Sequence, residues 1–197
     1  MGSKALDWSQ RGHVLATYDD AVVYCRVVGL GNMNNCAPFQ TFSCQLQDQG
    51  YREFVLDFSR CDGLDSTFLG ILLGIAHGGK GRRSKVVVVN ASDSIQRILG
   101  EVGIDRLVQV HSDPTQLPEI PMQRLDKVGG AAQRDCDRIR MILEAHENLC
   151  RIDGANNQDR FGSFLAVLRK ELADCADKSD SAGKSDSAPG AESAGHR

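Results

Sequence analysis

The sequence predicts an α/β domain followed by a C-terminal helical extension. Short β-branched runs alternate with helix-like runs through the first half of the 197-residue chain. Three of the five prolines lie between residues 113 and 121, which is typical of a linker. Beyond that linker, apolar residues recur at steps of three and four, as in amphipathic helices. We therefore expect an α/β domain at 1–112, a linker at 113–121, a helical hairpin at 122–177 and a disordered tail at 178–197.

Four segments have the composition of strands. They are short, rich in β-branched residues and bounded by turn-forming residues. The four are Ala21–Val28, Phe54–Phe58, Lys85–Asn90 and Leu107–Val110. Because they alternate with helices of about ten residues, we expect parallel pairing through crossover helices. The sequence thus predicts a sheet of four to five strands flanked by helices.

Three helices are predicted between these strands. The first is expected to begin near Ala37, because Pro38 is tolerated only in a first turn, and to end at Gln49. Residues 61–64 are interpreted as a turn that leads into the second helix, Ser66–His77. The third, Asp93–Val102, begins after the N-cap Ser92 and ends before Gly103.

The extension carries two apolar stripes that are separated by a break at residues 151–157. The first includes Ile142, His146 and Leu149, and the second includes Phe161 and Leu168. A histidine on such a stripe is more often a packing residue than a ligand. Two amphipathic helices need cover for their apolar faces. They could form a hairpin, pack back on the α/β domain or form a homodimer interface.

Composition excludes several classes of function. The formal net charge of −3 gives no basic surface for nucleic acid. No apolar run reaches the roughly 18 residues that span a bilayer, and the N-terminus lacks the apolar core of a signal peptide. The seven cysteines show no CxxC spacing, so we expect structural thiols in a reducing compartment. A cytoplasmic protein is predicted.

Signals for enzymatic chemistry are few. The segment from Gly78 to Arg83 is glycine-rich and basic, but it lacks P-loop spacing and precedes a strand. The five histidines show no paired ligand spacing. We predict no catalytic residue, no metal site and no cofactor. A nucleotide-binding protein that uses Lys80, Arg82 and Arg83 is the alternative from another class.

The most specific segment is the start of the second helix. Asp65 is a good N-cap, and Ser66 then becomes the first helical residue, with its hydroxyl expected to point outward. A phosphate there is tolerated because the helix dipole and free N–H groups favour an anion. The same residues are also common at helix starts for purely structural reasons. Local chemistry alone favours the structural interpretation.

The segment from Phe54 to Gly74 resembles the signature of STAS domains, specifically of bacterial anti-sigma factor antagonists. The matching positions are Asp57, Asp65, Ser66, Thr67, Leu69 and Gly70. The order of segments is also similar over roughly residues 14–111. The resemblance implies a phosphorylated serine, matched by Ser66. It further implies a kinase partner of the histidine-kinase-like ATPase type, which is the anti-sigma factor, and a PP2C-type phosphatase.

The sequence departs from the family pattern at two places. Phe68 replaces a glycine, as in stressosome-type members, and asparagines stand where the family has an acidic residue after a strand. We expect Ser66 to be the phosphate acceptor and Thr67 a secondary one. The docking face is expected at the exposed start of this helix and the loop after Val28. Its predicted partner-binding residues are Asp65, Asn32, Asn34, Asp57 and Phe68.

The resemblance implies a partner-switching regulator of bacterial transcription that is not an enzyme. When unphosphorylated, such proteins bind the kinase and thereby release the sigma factor. The alternative is a STAS scaffold without phosphorylation, or a subunit of a sensory, stressosome-like or lipid-transport assembly.

Overall fold

The computed structural model describes residues 12–78, 82–111, 113–127, 135–152 and 154–182. It contains a mixed β-sheet flanked by helices and followed by two long helices, which confirms the predicted α/β class. The strands are β1 (Gly12–Tyr18), β2 (Val22–Gly31), β3 (Glu53–Leu64), β4 (Lys85–Val89), β5 (Gln109–Val110) and β6 (Gln123–Arg124). The α-helices are α1 (Met33–Asp48), α2 (Ser66–His77), α3 (Asp93–Glu101), α4 (Asp135–Ile152) and α5 (Gly154–Ala182).

The sheet has six strands, not the four to five predicted, in the order β5-β4-β3-β2-β1-β6. Strands β2 to β5 pair in parallel, whereas β1 pairs antiparallel with both β2 and β6. Asp19 closes the β1–β2 hairpin, since its Oδ1 accepts from the backbone N–H groups of Ala21 at 2.9 Å and Val22 at 2.7 Å. The prediction missed β1 because only Val14 and Ala16 carry its buried face. It missed β6 because a two-residue strand has no sequence period.

Two predicted boundaries in the α/β region are wrong. Helix α1 begins at Met33 rather than near Ala37, because Asn32 and Asn35 form a reciprocal capping box at its start. Pro38 consequently lies inside the helix rather than in its first turn. The predicted turn at 61–64 is the end of β3, which continues through irregular pairing with the last residues of β2.

Helix α2 is covered on nearly all sides. Nine of its twelve residues are buried, as expected for a helix that is apolar all round. Helix α4 packs against it at Gly70, where a Cβ would collide with the backbone carbonyl of Ala145. Glycine therefore permits a close approach of two helix backbones at this point.

The two C-terminal helices form a hairpin, and α4 also packs back on the α/β domain. Gln123 and Arg124, which the sequence assigns to the helical extension, instead form β6 beside β1. Helix α5 extends to Ala182 and so passes the predicted boundary at 177. The reason is that no helix-ending glycine or proline occurs before Gly183. The rest of the predicted tail, residues 183–197, lies outside the described residues.

The hairpin is closed by a disulfide between Cys136 at the start of α4 and Cys175 near the end of α5. Their Cα atoms are 5.8 Å apart and they are separated by 39 positions in sequence. The expectation of seven free thiols is therefore wrong for these two residues. A long separation leaves no short spacing to recognise, and antiparallel helix packing is what brings them together. The remaining cysteines are free thiols: Cys25, Cys36, Cys44, Cys61 and Cys150.

Candidate functional site

The candidate site lies at the N-terminus of α2, directly after β3. Asp65 is the N-cap, and its Oδ1 accepts a hydrogen bond of 2.8 Å from the backbone N–H of Phe68. Ser66 is the first residue of the helix, as the sequence predicts. A helix N-terminus carries unpaired N–H groups and partial positive charge. The hydroxyl of Ser66 therefore lies where an added anion is electrostatically favoured.

Asp65 also holds the start of α1. Its second carboxylate oxygen, Oδ2, accepts from the backbone N–H of Met33 at 2.8 Å. The backbone N–H of Asp65 donates to the carbonyl of Gly31 at 2.9 Å. Beside it, the side chain of Asn32 accepts from the backbone N–H of Asn34 at 2.9 Å. Asp65, Asn32 and Asn34, all predicted partner-binding residues, are thus brought together where two helices begin.

The hydroxyl of Ser66 is bound to a residue of the C-terminal extension. Its Oγ lies 3.0 Å from Nε2 of His146 on α4. The Nδ1 atom of His146 lies 2.8 Å from the carbonyl oxygen of Ile142, which can only accept. In the neutral ring Nδ1 therefore carries the proton and Nε2 is the acceptor. Ser66 donates its hydroxyl proton to His146 in this hydrogen bond.

His146 is held in its neutral form by its surroundings. It is 2% exposed, and the rings of Phe161 and Phe164 lie against it with centroid distances of 5.2 and 4.9 Å. Burial lowers the pKa of His146, and the Ile142 hydrogen bond and the charge of Asp65 only partly oppose that effect. An uncharged imidazole is the form that can accept the Ser66 proton.

Helix α4 covers much of the predicted docking face. Ser66 is half-buried rather than pointing outward. The side chain of Asn148 donates to the carbonyl of Gly70 at 3.2 Å, one turn further along α2. At the other end, Arg138 lies 3.4 Å from the side-chain oxygen of Asn34. The prediction of an exposed helix start is wrong, because no feature of the sequence indicates that α4 packs on this face.

Asp57 and Phe68, two other predicted partner-binding residues, are buried within the domain. Asp57 is 1% exposed and forms an ion pair with Arg26 at 2.6 Å. Phe68 is fully buried and stacks on Phe39 with centroids 5.2 Å apart. Neither side chain offers a surface to a partner, so both predictions are corrected. The continuous apolar run that Asp57 interrupts and the apolar run that Phe68 begins already favoured burial.

Asp57 stabilises the edge where the parallel strands end. Burial raises the pKa of Asp57, but hydrogen bonds from Asn90, Ser59 and Arg26 outweigh that effect and lower the pKa overall. Asn90 in turn exchanges two hydrogen bonds of 2.8 Å with the backbone of Thr115. The carboxylate thus links β2, β3 and β4 to the segment that leads towards β6.

Several further predicted residues have a defined position. Thr67, the secondary acceptor, is 5% exposed and faces the core rather than solvent. Arg82 and Arg83 are exposed, while Lys80 lies outside the described residues. Within the described ranges, no three His, Cys, Asp or Glu side chains are grouped as metal ligands would be. In the same part of the chain, no helix is sufficiently long and apolar to cross a membrane.

His146 is the site residue that sequence reasoning missed. It lies 80 positions beyond Ser66, on an apolar stripe that indicates a packing histidine. No local motif joins the two residues. The Arg26–Asp57 ion pair could have been predicted from the sequence. Each charged residue interrupts an apolar strand, and the parallel pairing of the two strands places the residues opposite each other.

The sequence and the fold were compared with known proteins. A family model described as "Mlab, STAS domain" matches residues 19–109. The search of curated proteins finds no match. The solved structures that resemble this one include the anti-sigma factor antagonist SpoIIAA in its unphosphorylated form, at 15% identity and a TM-score of 0.45, covering 50% of this chain and 87% of that one. They also include the NMR structure of the protein TM1081, at 22% identity and a TM-score of 0.43, covering 49% of this chain and 78% of that one.

The family match covers the segment that contains the candidate site. It begins at the turn between β1 and β2 and ends in β5. Asp57, Asp65 and Ser66 all lie inside it, whereas His146 lies outside. Residues 19–109 of this chain are therefore similar to STAS domains.

Proposed function

We propose that this protein is a partner-binding switch of the anti-sigma factor antagonist type, controlled by reversible phosphorylation of Ser66, and that it has no enzymatic activity of its own. The observation that carries the proposal is the position of Ser66. It is the first residue of α2, follows the N-cap Asp65 and lies in the segment that is similar to STAS domains. The resemblance of residues 54–74 to anti-sigma factor antagonists assigns the same serine.

The proposed modification is a transfer between a nucleotide and a hydroxyl. A serine kinase of the histidine-kinase-like ATPase type binds ATP, and Oγ of Ser66 forms a bond to the γ-phosphorus. The bond from that phosphorus to the β-phosphate oxygen breaks, ADP leaves and the hydroxyl proton passes to a base of the kinase. A PP2C-type phosphatase reverses the change by hydrolysis, which returns the hydroxyl and releases inorganic phosphate.

In this proposal, the phosphorylation state of Ser66 determines whether the protein binds the kinase. The unphosphorylated protein binds the kinase, which is also the anti-sigma factor, and a sigma factor is released. Phosphorylation adds nearly two negative charges at the docking face and ends that binding. Asn34, exposed at the start of α1, lies beside Asp65 and is the further contact that we assign to the partner.

The test is a capture of the tagged full-length chain and its partners from cells that express it, with mapping of phosphate. We expect an ATPase of the kinase class in the captured material and phosphate on Ser66. The recovered kinase is then titrated with Ser66→Glu, Ser66→Ala and, as a control, Ser163→Glu, which places the same charge at an exposed site on α5.

The expected affinities are distinct. Ser66→Glu should weaken kinase binding by about tenfold or more, which corresponds to about 1.4 kcal/mol, while Ser66→Ala and Ser163→Glu remain near wild type. Phosphate found only on the serines beyond residue 178, or equal affinity for all three variants, would contradict the proposal.

A second candidate function has one observation in its favour. The hydroxyl of Ser66 is already bound to His146, and α4 lies over it, as suits a STAS scaffold that is never phosphorylated. Helix α5 would then be the interaction arm, because Phe164 and Val167 are 43% and 52% exposed on it. In that case, Phe164→Ser and Val167→Ser would abolish capture of partners, whereas Ser66→Glu would not.

A further inference from the structure

We propose that α4 is a built-in occupant of the docking face on α2, and that phosphorylation of Ser66 releases the α4–α5 hairpin from that face. The inference deepens the proposed function and rests on it, because it takes Ser66 as the modified residue. In this inference His146 is a positioning residue. Its imidazole binds the unmodified serine, and that contact is lost when the serine is modified.

The contacts of α4 coincide with the face assigned to an external partner. His146 binds Ser66, Arg138 reaches Asn34, and Asn148 binds the backbone of Gly70. A kinase that docks on the start of α2 would need the space that α4 fills. Binding of the kinase and docking of α4 are therefore mutually exclusive at this surface.

Phosphorylation removes the hydrogen bond that joins the two elements. The ester oxygen of phosphoserine carries no proton, so it cannot donate to Nε2 of His146. The phosphate would also be placed against the ring of His146, which is buried and neutral, and next to the adjacent carboxylate of Asp65. While α4 covers Ser66, a multiply charged group is buried there beside a like charge and without an opposite one, and this cost outweighs the favourable field of the helix N-terminus.

The packing leaves little room for gradual adjustment. At Gly70 the backbones of α2 and α4 are in such close contact that not even a methyl group fits between them. Tightly packed helix faces respond to added bulk by separating rather than by stretching. We therefore expect two states, a closed one with Ser66 bound to His146 and an open one with the start of α2 accessible.

The coupling works in both directions. A partner that binds the start of α2 favours the open state, and the open state favours binding of that partner to the same degree. Phosphate on Ser66 also favours the open state, but it adds negative charge to the uncovered face and so does not restore binding of the kinase. The closed state accordingly protects Ser66 from the kinase, and opening gives access to it. An open fraction of about one in a hundred would weaken partner binding about a hundredfold.

The test is hydrogen–deuterium exchange on purified full-length protein with the disulfide intact. Four variants are compared with wild type: Ser66→Glu, Ser66→Ala, Gly70→Ala and Gly100→Ala. Gly70→Ala adds the methyl group that collides with Ala145 and leaves Ser66 unchanged. Gly100→Ala is its matched control, since a Cβ there meets nothing closer than Asp105 Oδ2 at 3.8 Å.

We expect Ser66→Glu and Gly70→Ala to accelerate exchange in α4 and α5 by about tenfold or more. Gly100→Ala should retain wild-type protection of the hairpin, and Ser66→Ala, which loses the hydrogen bond to His146 but adds no charge, should accelerate exchange less than Ser66→Glu does. The amides of β2 and β4 should stay protected in every variant, which separates undocking from general unfolding.

Unchanged protection of α4 and α5 in Ser66→Glu would overturn the inference, whatever Gly70→Ala does. If Gly70→Ala also loses protection in β2 and β4, Ser66→Glu alone decides. The measurement needs no partner, so its failure is separate from failure of the proposed function. That function fails if cells leave Ser66 unmodified, even where Ser66→Glu opens the hairpin in solution.

Discussion

At the residue scale, a single carboxylate organises the candidate site. Asp65 accepts from the first turns of both α1 and α2 through its two oxygens. Each helix begins with N–H groups that lack an intrahelical partner. One side chain therefore fixes the relative position of two helix starts, and the hydroxyl of Ser66 is placed by that arrangement.

Replacing Asp65 with alanine should lower the free energy of unfolding by about 2 kcal/mol, because two backbone N–H groups lose their caps at once. Chemical denaturation followed by circular dichroism measures the change. The control is Asp62→Ala, an exposed acidic residue three positions earlier, which should stay within about 0.5 kcal/mol of wild type. Equal effects of the two variants would show that the two caps contribute no specific stability.

His146 predicts a dependence of stability on pH. Burial lowers its pKa below the ordinary value of 6.5. Above that value the ring is neutral in both the folded and the unfolded chain. Below it, the unfolded chain takes up a proton that the folded chain resists, so stability falls as the pH falls.

The expected outcome is a steeper loss of stability in wild type than in His146→Gln between about pH 7.5 and 5.5. Urea denaturation at a series of pH values gives the two curves. Groups that do not interact with His146 contribute equally to both proteins and cancel in the difference between the two curves. Parallel curves would mean that His146 is not held neutral by the fold.

At the element scale, the α4–α5 hairpin is stabilised by the Cys136–Cys175 bond. Closing a loop of 39 residues restricts the unfolded chain and should contribute about 4 kcal/mol in the chain-entropy model. Cys136→Ser should lose stability of that order, whereas Cys44→Ser, which alters an exposed free thiol, should change little. Thermal denaturation of both variants, with and without reductant, measures the difference.

A thiol titration checks the bond directly. Five of the seven cysteines are free in the structure. The denatured protein, prepared without reductant, should therefore react at five thiols and at seven after reduction. Seven reactive thiols before reduction would show that the bond is absent.

The elements differ in how far the sequence reveals them. The strands around Val23, Phe54 and Val87 have β-branched and aromatic composition that local pattern detects, and the α/β class follows from their order. Helix α2 was placed correctly because Asp65 and Gly78 mark its two ends. Strand β6 was missed because its pairing with β1 is a long-range event with no local period.

The residues of the candidate site also differ in how far the sequence reveals them. Asp65 and Ser66 are adjacent in sequence, so capping chemistry and the family signature locate both. His146 and Ser66 are in contact only because α4 packs across α2. No sequence motif near residue 146 predicts that contact. The burial of Phe68 follows from the neighbouring apolar residues, whereas the covering of Ser66 depends on how the whole chain folds back.

At the scale of the whole molecule, the α/β domain and the extension are not independent units. Strand β6, which follows the predicted linker, is paired to β1 at the sheet edge. Asn90 holds Thr115 of that linker by two hydrogen bonds, and α4 then packs on α2. Removal of the extension would consequently expose a helix that is apolar all round, so truncation at residue 112 is a poor way to isolate the domain.

The pairing of β6 with β1 also determines how strongly α4 competes with an external partner for the face on α2. It anchors the chain up to Lys127, so only the seven positions before Asp135 join the sheet to α4. A segment tethered this closely acts on its target at an effective concentration of the order of millimolar. A partner present at micromolar concentration must therefore bind α2 about a thousandfold more tightly than α4 does to displace it unaided. The closed arrangement therefore selects for partners that bind the unmodified α2 face tightly, whatever their abundance.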